Sequence, residues 1–399
     1  MAHLGLALSS SACDGPQKTA PLEETATLVG ATLTTSGSEP ASSSSSSSGS
    51  TSAASAAPAP VREAVTLIAG GDVCMGRSMG QEILKDPSYG AFASIARVLS
   101  AADIRFVNLE SQLSDQKGET QSPTQKLVFT GPPGGAEALA RGGIDIVSLA
   151  NNHMWDYGQS AFLETLANLE RAKVKYAGAG RTRERAYGAE VVSVEGFQVA
   201  FLAFTDIWNQ GALSRHPAKE HVAEARREAV VAAIRGARAL AGVTKVVVSY
   251  HGGEEYVNAP LQRAIDLHRA AIDAGADAVI GHHPHVAQGI EIYKGKPIFY
   301  SLGNFLMRTH GTETATEIGL LARIELRRSG GPRAWVCPFR IAGYVPRTIP
   351  LAGDERRELY ERVVRQRLRV IQGSIARPAV VGDTGEDGCA ELSPPVPKK

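Results

Sequence analysis

The sequence predicts an α/β sandwich, with mixed sheets covered by helices, and three observations carry that prediction. From residue 62 short β-rich runs alternate with amphipathic helical ones, two stretches read as hairpins, and polar ligand-type residues recur where strands end. Residues 1–61 hold few aromatics or large aliphatics beyond position 8, so the core must come from residues 62 to about 350.

In chain order, residues 65–69 read as a buried strand running into Gly70-Gly71-Asp72. Residues 81–101 read as a helix interrupted by the Pro/Gly stretch at 86–90, and 104–109 as a strand. A short helix at 136–141 leads to a strand at 144–149 that ends on Asn151-Asn152-His153. A helix at 161–173, a short strand at 174–177 and a hairpin at 191–204 turning on Glu195-Gly196 follow. Residues 218–241 read as one long helix, 245–250 as a strand, 260–275 as a helix and 278–281 as a strand. A hairpin spans 290–301, closing strands lie at 318–326 and 334–341, and 354–372 forms a charged, Arg-rich helix within a segment 351–374. Residues 375–399 read as a disordered tail.

The balance of 42 Lys and Arg against 41 Asp and Glu gives no basic excess, so nucleic-acid binding is not expected. The four cysteines, Cys13, Cys74, Cys337 and Cys389, are far apart and form no CxxC pair, so no disulfide framework is expected. Near the N-terminus, the apolar run 4–8 followed by Ser9-Ser-Ser-Ala-Cys13 resembles a secretion signal ending in a lipoprotein cleavage site. The run is short and no Lys or Arg precedes it, so it reads as a truncated leader over 1–13. Residues 14–61, with seven consecutive serines at 42–48, read as a flexible tether. The expectation is an exported protein, lipid-anchored through Cys13 or lying at the cell surface. The bland alternative is a cytoplasmic chain with an Ala/Ser leader.

Five strand ends finish in Asp72, in Asn108-Leu109-Glu110, in Asn151-Asn152-His153, in His251-Gly252-Gly253-Glu254-Glu255 and in His282-His283-Pro284-His285. Taken singly, each has an ordinary reading: Asp72 as a turn cap, His251 as a core histidine. Together they supply carboxylate, amide and imidazole donors suited to Mn, Zn or Fe, as one ion or two. His268 reads as structural, and His216 and His221 as surface residues.

The order of these groups resembles that of calcineurin-like metallophosphatases. Within them, Gly71-Asp72-Val73 with Gly76-Arg77, Asn108-Leu109-Glu110, Asn151-Asn152-His153 with Asp156-Tyr157-Gly158, Gly281-His-His-Pro-His285 and Leu302-Gly-Asn-Phe305 are similar to the CapA family of capsule and poly-γ-glutamate synthesis proteins. The resemblance spans residues 62 to about 345. It implies a four-layered α/β sandwich, a divalent metal centre and a role with an anionic polymer such as poly-γ-glutamate, with a membrane-bound synthesis complex as a partner. Carried over residue by residue, Asp72, Glu110, Asn152, His251, His283 and His285 are metal ligands, with Glu110 bridging. His153 is the proton donor, Asp156 its orienting carboxylate, and Arg77 grips an anionic substrate group. Two departures from the family pattern stand out. Cys74 occupies the place of the phosphatase histidine and reads as a small buried apolar residue. Gly252 stands where the family has Trp, which is expected to open the pocket. Three functional readings stay open: a metal-dependent hydrolase or transferase on an anionic polymer, a general phosphoesterase, and a non-catalytic polymer-binding assembly subunit.

Overall fold

The computed structural model describes residues 62–209, 215–309, 314–350 and 365–395. The leader, Cys13 and the serine-rich tether lie outside the described residues, as do residues 351–364 of the expected charged helix.

The alternation read from sequence becomes β1 (Ala64–Val73), α1 (Arg77–Lys85), α2 (Ala96–Leu99), β2 (Ile104–Leu109), β3 (Gln112–Leu113), β4 (Thr130–Gly131) and α3 (Gly135–Arg141). It continues through β5 (Ile146–Ser148), α4 (Gly158–Ala172), β6 (Lys175–Ala177), α5 (Arg183–Tyr187), β7 (Glu190–Val194), β8 (Phe197–Thr205), α6 (Arg227–Ala239) and β9 (Val243–His251). Then come α7 (Gln262–Ala274), β10 (Ala278–His282), β11 (Ile290–Tyr293), β12 (Lys296–Phe299), β13 (Asn304–Leu306), β14 (Ile318–Arg327), β15 (Arg333–Ala342) and β16 (Arg347–Pro350). The last described elements are α8 (Arg365–Gly373), β17 (Val380–Thr384) and β18 (Ala390–Ser393).

Two mixed sheets carry the architecture. The larger runs β17-β18-β15-β14-β1-β2-β5-β6, with β13 also pairing β1 and β16 also pairing β15; the smaller runs β11-β12-β10-β9-β8-β7. Strands β1, β2, β5 and β6 are parallel, as are β8, β9, β10 and β12, while β14 and β15 are antiparallel additions. Parallel strands sort their side chains with a period of two. In β8, Val199, Phe201 and Ala203 join the core between the sheets, where Phe201 stacks on Phe106 of β2 at 5.7 Å. Ala200, Leu202 and Phe204 face the other way, into a second core with Val230 and Ile234 of α6 and Ala271 and Ile272 of α7. Burial on both faces makes such strands continuously apolar. The layers are therefore helices, sheet, sheet, helices, the sandwich expected.

Two glycines let strands approach where a side chain could not. A β-carbon at Gly71 would overlap the carbonyl oxygen of Gly303, and one at Gly281 would overlap that of Tyr300. Each glycine immediately precedes a buried polar residue, Asp72 and His282, which both ride on strands brought unusually close to their neighbours.

Four expectations need correction. Cys337 of β15 and Cys389 form a disulfide, where none was expected. The antiparallel pairing of residues 334–336 with 390–392 brings together cysteines that lie 52 positions apart. The tail is ordered over that stretch, since β17 and β18 extend the large sheet and bury Ala390 and Leu392. The long helix read over 218–241 is broken. A 3-10 turn at Pro217–Glu220 precedes an extended stretch in which Ala223 N–H donates to Gly178 O, Thr205 N–H to Ala223 O and Ala225 N–H to Thr205 O, all at 2.8–2.9 Å. Those tertiary backbone bonds override the local helical preference of an Ala- and Glu-rich run. The helix read over 81–101 begins earlier, at Arg77, and ends at Lys85; only a 3-10 turn and the four-residue α2 follow it.

Candidate metal centre

The carboxyl ends of β1, β2 and β5 are in register, Asp72 opposite Asn108 and Asn108 opposite Ser148, while β9 and β10 place His251 opposite His282. Ligands collect at such strand ends because the following loops rise from the same edge. Here they bring together Asp72, Glu110, Asn152, His153, His251, His283 and His285, all buried.

Glu110 sits in the middle. Its Oε1 lies 3.8 Å from His251 Nε2, 3.8 Å from His285 Nε2 and 3.9 Å from His153 Nε2, and accepts no hydrogen bond. A buried carboxylate oxygen without a partner is costly unless something else compensates it. Two sets of donor atoms mutually within 4.8 Å share this residue: Glu110 with His251 and His283, and Asp72 with Glu110 and His285. Both nitrogens of His282 and Nδ1 of His283 are likewise buried without a hydrogen bond. Orphaned carboxylate and imidazole donors converging on one space fit a divalent cation of the borderline class.

The two carboxyls respond to burial differently. Burial works to raise Asp72, but His282 and His285 beside it outweigh burial and hold it well below the usual carboxylate range. Burial, and next the Asp72 charge, push Glu110 well above that range. Burial, and then the neighbouring histidines, depress His251 far below its ordinary value and His283 to about 3. The imidazoles are therefore neutral, as ligation requires.

Amides fix these groups in place. Asn108 Nδ2 donates to Asp72 Oδ1 at 2.9 Å and lies 3.2 Å from His251 Nδ1. His251 Nε2, the nitrogen that faces Glu110, lies 2.8 Å from Asn152 Oδ1. Asn151 donates to Leu109 O at 2.8 Å and accepts from the His153 N–H at 3.1 Å. His285 Nδ1 lies 3.0 Å from Asn304 Oδ1. His283 and His285 both hold left-handed backbone, φ 96° and 58°. That costs energy for residues with a β-carbon, and the packed loop enforces it.

Asp156 Oδ2 is 2.8 Å from His153 Nδ1 and also accepts the Phe129 N–H at 3.1 Å, so the imidazole is held with Nε2 toward Glu110. Arg77 stands apart from the donor cluster. Its guanidinium lies 4.2 Å above the Phe129 ring, and that ring also packs on His153 with centroids 4.2 Å apart. Cys74 is buried and free, with its thiol pushed up by burial, and packs with Phe129 and Met307 as an apolar residue. The expected opening beside Gly252 is absent, because Asp206 and Tyr250 fill that space and a β-carbon there would collide with both. His216 is buried, stacked on Trp208 at 4.5 Å, and is not the surface residue expected.

Sequence reasoning assigned no role to Asn108, Asn151, His282, Asn209 or Asn304. Asn108 and His282 stood inside the quoted motifs, where their placement at strand ends was the available signal. Asn209, which meets Asn152 at 2.7 Å and His153 at 3.3 Å, follows no strand end directly and gave none.

Comparison with known proteins agrees with the motifs. The profile of the family described as Bacterial capsule synthesis protein PGA_cap matches residues 66–309. The chain is 32% identical over 308 residues to the capsule biosynthesis protein CapA of Bacillus anthracis, covering 75% of this chain and 74% of that one. It is 32% identical over 277 residues to the PGA biosynthesis protein CapA of Bacillus subtilis, covering 69% and 71%. Among solved structures it is similar to a 5'-nucleotidase from Candida albicans, with a TM-score of 0.40, 10% identity and coverage of 68% and 51%, a likeness too loose to bear on its role. With the matched region holding every residue of the donor cluster, this chain belongs to the bacterial capsule synthesis PGA_cap family, alongside the CapA proteins.

Proposed function

We infer that this protein acts on an anionic, carboxylate-bearing capsule polymer of the poly-γ-glutamate kind, as a metal-dependent hydrolase or transferase. The observation that carries the reading is Glu110 Oε1, a buried and unpartnered carboxylate oxygen facing three histidine nitrogens at 3.8–3.9 Å. Asp72, Glu110, Asn152, His251, His283 and His285 are the residues that would hold Mn, Zn or Fe, with Glu110 common to both donor sets. Such a cation supplies Lewis acidity toward a carbonyl or phosphoryl oxygen.

The chain's own residues supply the rest. Asp156 holds the His153 ring through Nδ1, so Nε2 faces the space beside Glu110 as the atom through which a proton would pass. Asn304 Oδ1 meets His285 Nδ1 as the outer partner of a ligating histidine does, and Asn108 Nδ2 lies against His251 Nδ1. Burial keeps His251 and His283 neutral.

Export and lipid anchoring at Cys13, with a membrane-bound synthesis complex as partner, belong to the same proposal. The Cys337–Cys389 disulfide supports an oxidising compartment. No helix among the described residues is long and apolar enough to cross a membrane. The general phosphoesterase reading rests on fold analogy, a weaker warrant than the family match.

The test separates chemistry from ligation. His153→Ala is expected to cut turnover of poly-γ-glutamate by roughly 10²–10⁴-fold, the usual worth of a positioned proton donor, while bound metal stays at the wild-type level. Loss of metal in that variant would show His153 to be a ligand or a structural support, and would remove it as the proton donor.

A further inference from the structure

Beside the metal centre lies a cavity of about 290 Å³, at the small end of ligand pockets. Cys74 walls it on one side, two residues past Asp72, with Met307 and Arg308 on another and Tyr344, 84% exposed, at the rim. Its lining includes two arginines, Arg77 and Arg308, and no Asp or Glu.

Both guanidinium groups are held in place. Arg77 has left-handed backbone (φ 53°), lies on the Phe129 ring, and donates from Nη1 to Arg308 O at 3.2 Å. Its Nε is buried with no hydrogen-bond partner. Arg308 is braced from outside the cavity, by Gly343 O at 2.9 Å and Glu317 Oε1 at 3.2 Å. Arg77 also opens α1, whose N-terminus no side chain caps, so the positive end of the helix adds to the field there. Strained backbone that holds a guanidinium at the wall of a cavity is how binding sites store pre-organisation.

We propose that this cavity is an oxyanion subsite that seats a carboxylate group of the substrate chain, with Arg77 and Arg308 as its specificity-determining residues. The proposal rests on the polymer reading above and extends it by naming where the chain is gripped. A group seated on Arg77 lies one aromatic ring away from His153, since Phe129 packs against both. The subsite therefore sets which bond of a repeating polymer reaches the donor cluster.

The full chain, stripped of metal by dialysis against a chelator, is titrated with γ-glutamylglutamate and with the same dipeptide amidated at its carboxyls. The acid form should bind and the amidated form should not. Arg308→Gln and Arg77→Gln should each weaken binding about ten-fold or more, as expected for losing a charge-assisted pair. Glu317→Gln removes the carboxylate partner of Arg308 but keeps the cation, so it should bind as well as wild type or better. Arg171→Gln, at a remote surface pair with Glu137, serves as the control and should leave binding unchanged. If the glutamine variants fail to fold, Arg308→Lys keeps the charge without the planar fork and should still weaken binding several-fold.

Equal binding of the amidated dipeptide, or wild-type affinity in the arginine variants, would overturn the subsite. Inorganic phosphate is run in competition, and tighter binding of phosphate than of the dipeptide would overturn the carboxylate assignment in favour of a phosphoryl group. Metal binding, measured separately on wild type and Arg308→Gln, should be the same in both. A wild-type protein that takes up no metal but binds the dipeptide would sink the catalytic reading and leave the subsite standing.

Discussion

The two sheets contribute different chemistry to one space. The ten-stranded sheet and its loops deliver Asp72, Asn108, Glu110, Asn152, His153 and Asn304, all carboxyl or amide but for His153, whereas the six-stranded sheet and the loop after it deliver His251, His282, His283 and His285. Neither set alone makes a closed ligand sphere. The contrast between Asp72 and Glu110 shows why the division matters. Both are wholly buried, yet at Asp72 the adjacent His282 and His285 outweigh burial and hold the carboxyl ionised, while burial and the Asp72 charge push Glu110 toward protonation. A cation in the seam would ionise the second carboxyl as well, so binding should release protons.

The strongest way to break this division is to remove one ligand from each side. His251→Ala should lower metal affinity by more than about 100-fold, beyond what outer partners of a ligand are worth, and Asp72→Asn by nearer ten-fold, since it keeps an oxygen donor. Metal titration of both variants checks this, and equal losses would mean that the halves are not distinct.

The edges of the sheets differ too. Among the described residues only the larger sheet is stapled, by Cys337–Cys389, which closes a long loop. Reduction should cost about 3 kcal/mol of stability, read as a shift in denaturant midpoint with and without reductant. A midpoint indifferent to reductant would mean that strand pairing alone holds β18.

Gly71→Ala tests the close approach on the carboxylate side. Overpacking against the Gly303 carbonyl should cost about 2 kcal/mol and reduce metal uptake by displacing Asp72. A variant that loses stability but binds metal normally would separate the crossing from the site.

The smallest effect probes the histidine side away from the metal. His268 packs between Tyr250 and Tyr300, and burial lowers it to about 4. The unfolded chain therefore binds the extra proton between about pH 6.5 and 4, and stability falls as pH drops through that window. From pH 7 to 5.5 His268 should account for about 1 kcal/mol of lost stability. His268→Gln should be that much less acid-sensitive in thermal melts taken at both pH values, and identical acid sensitivity in the two proteins would contradict its neutral burial.

Much of this arrangement was legible because it is periodic or positional. The β-rich runs at 65–69, 104–109, 144–149, 245–250 and 278–281 announced strands, and the residues at their ends announced the donors. What escaped notice depends on tertiary contact. The break at Ala223 is made by hydrogen bonds with Gly178 and Thr205, which no local window contains. The disulfide joins cysteines whose proximity follows from a strand pairing inside a stretch whose composition reads as tail. The filling of the space beside Gly252 by Asp206 and Tyr250 depends on side chains from two strands meeting. Arg308 carried no motif at all and gains meaning only from the cavity it lines.

The division of donors between sheets also has a consequence for assembly in time. His283 meets Asp72 across 211 positions of chain, and His251 meets Asn108 across 143. Contacts of such range form late, after the loops between them have closed at their entropic cost. Metal capture must then come near the end of folding, once both sheets have docked. An exported chain would meet its ion after translocation, where the supply outside the membrane, and not the ligand set alone, decides which metal it keeps.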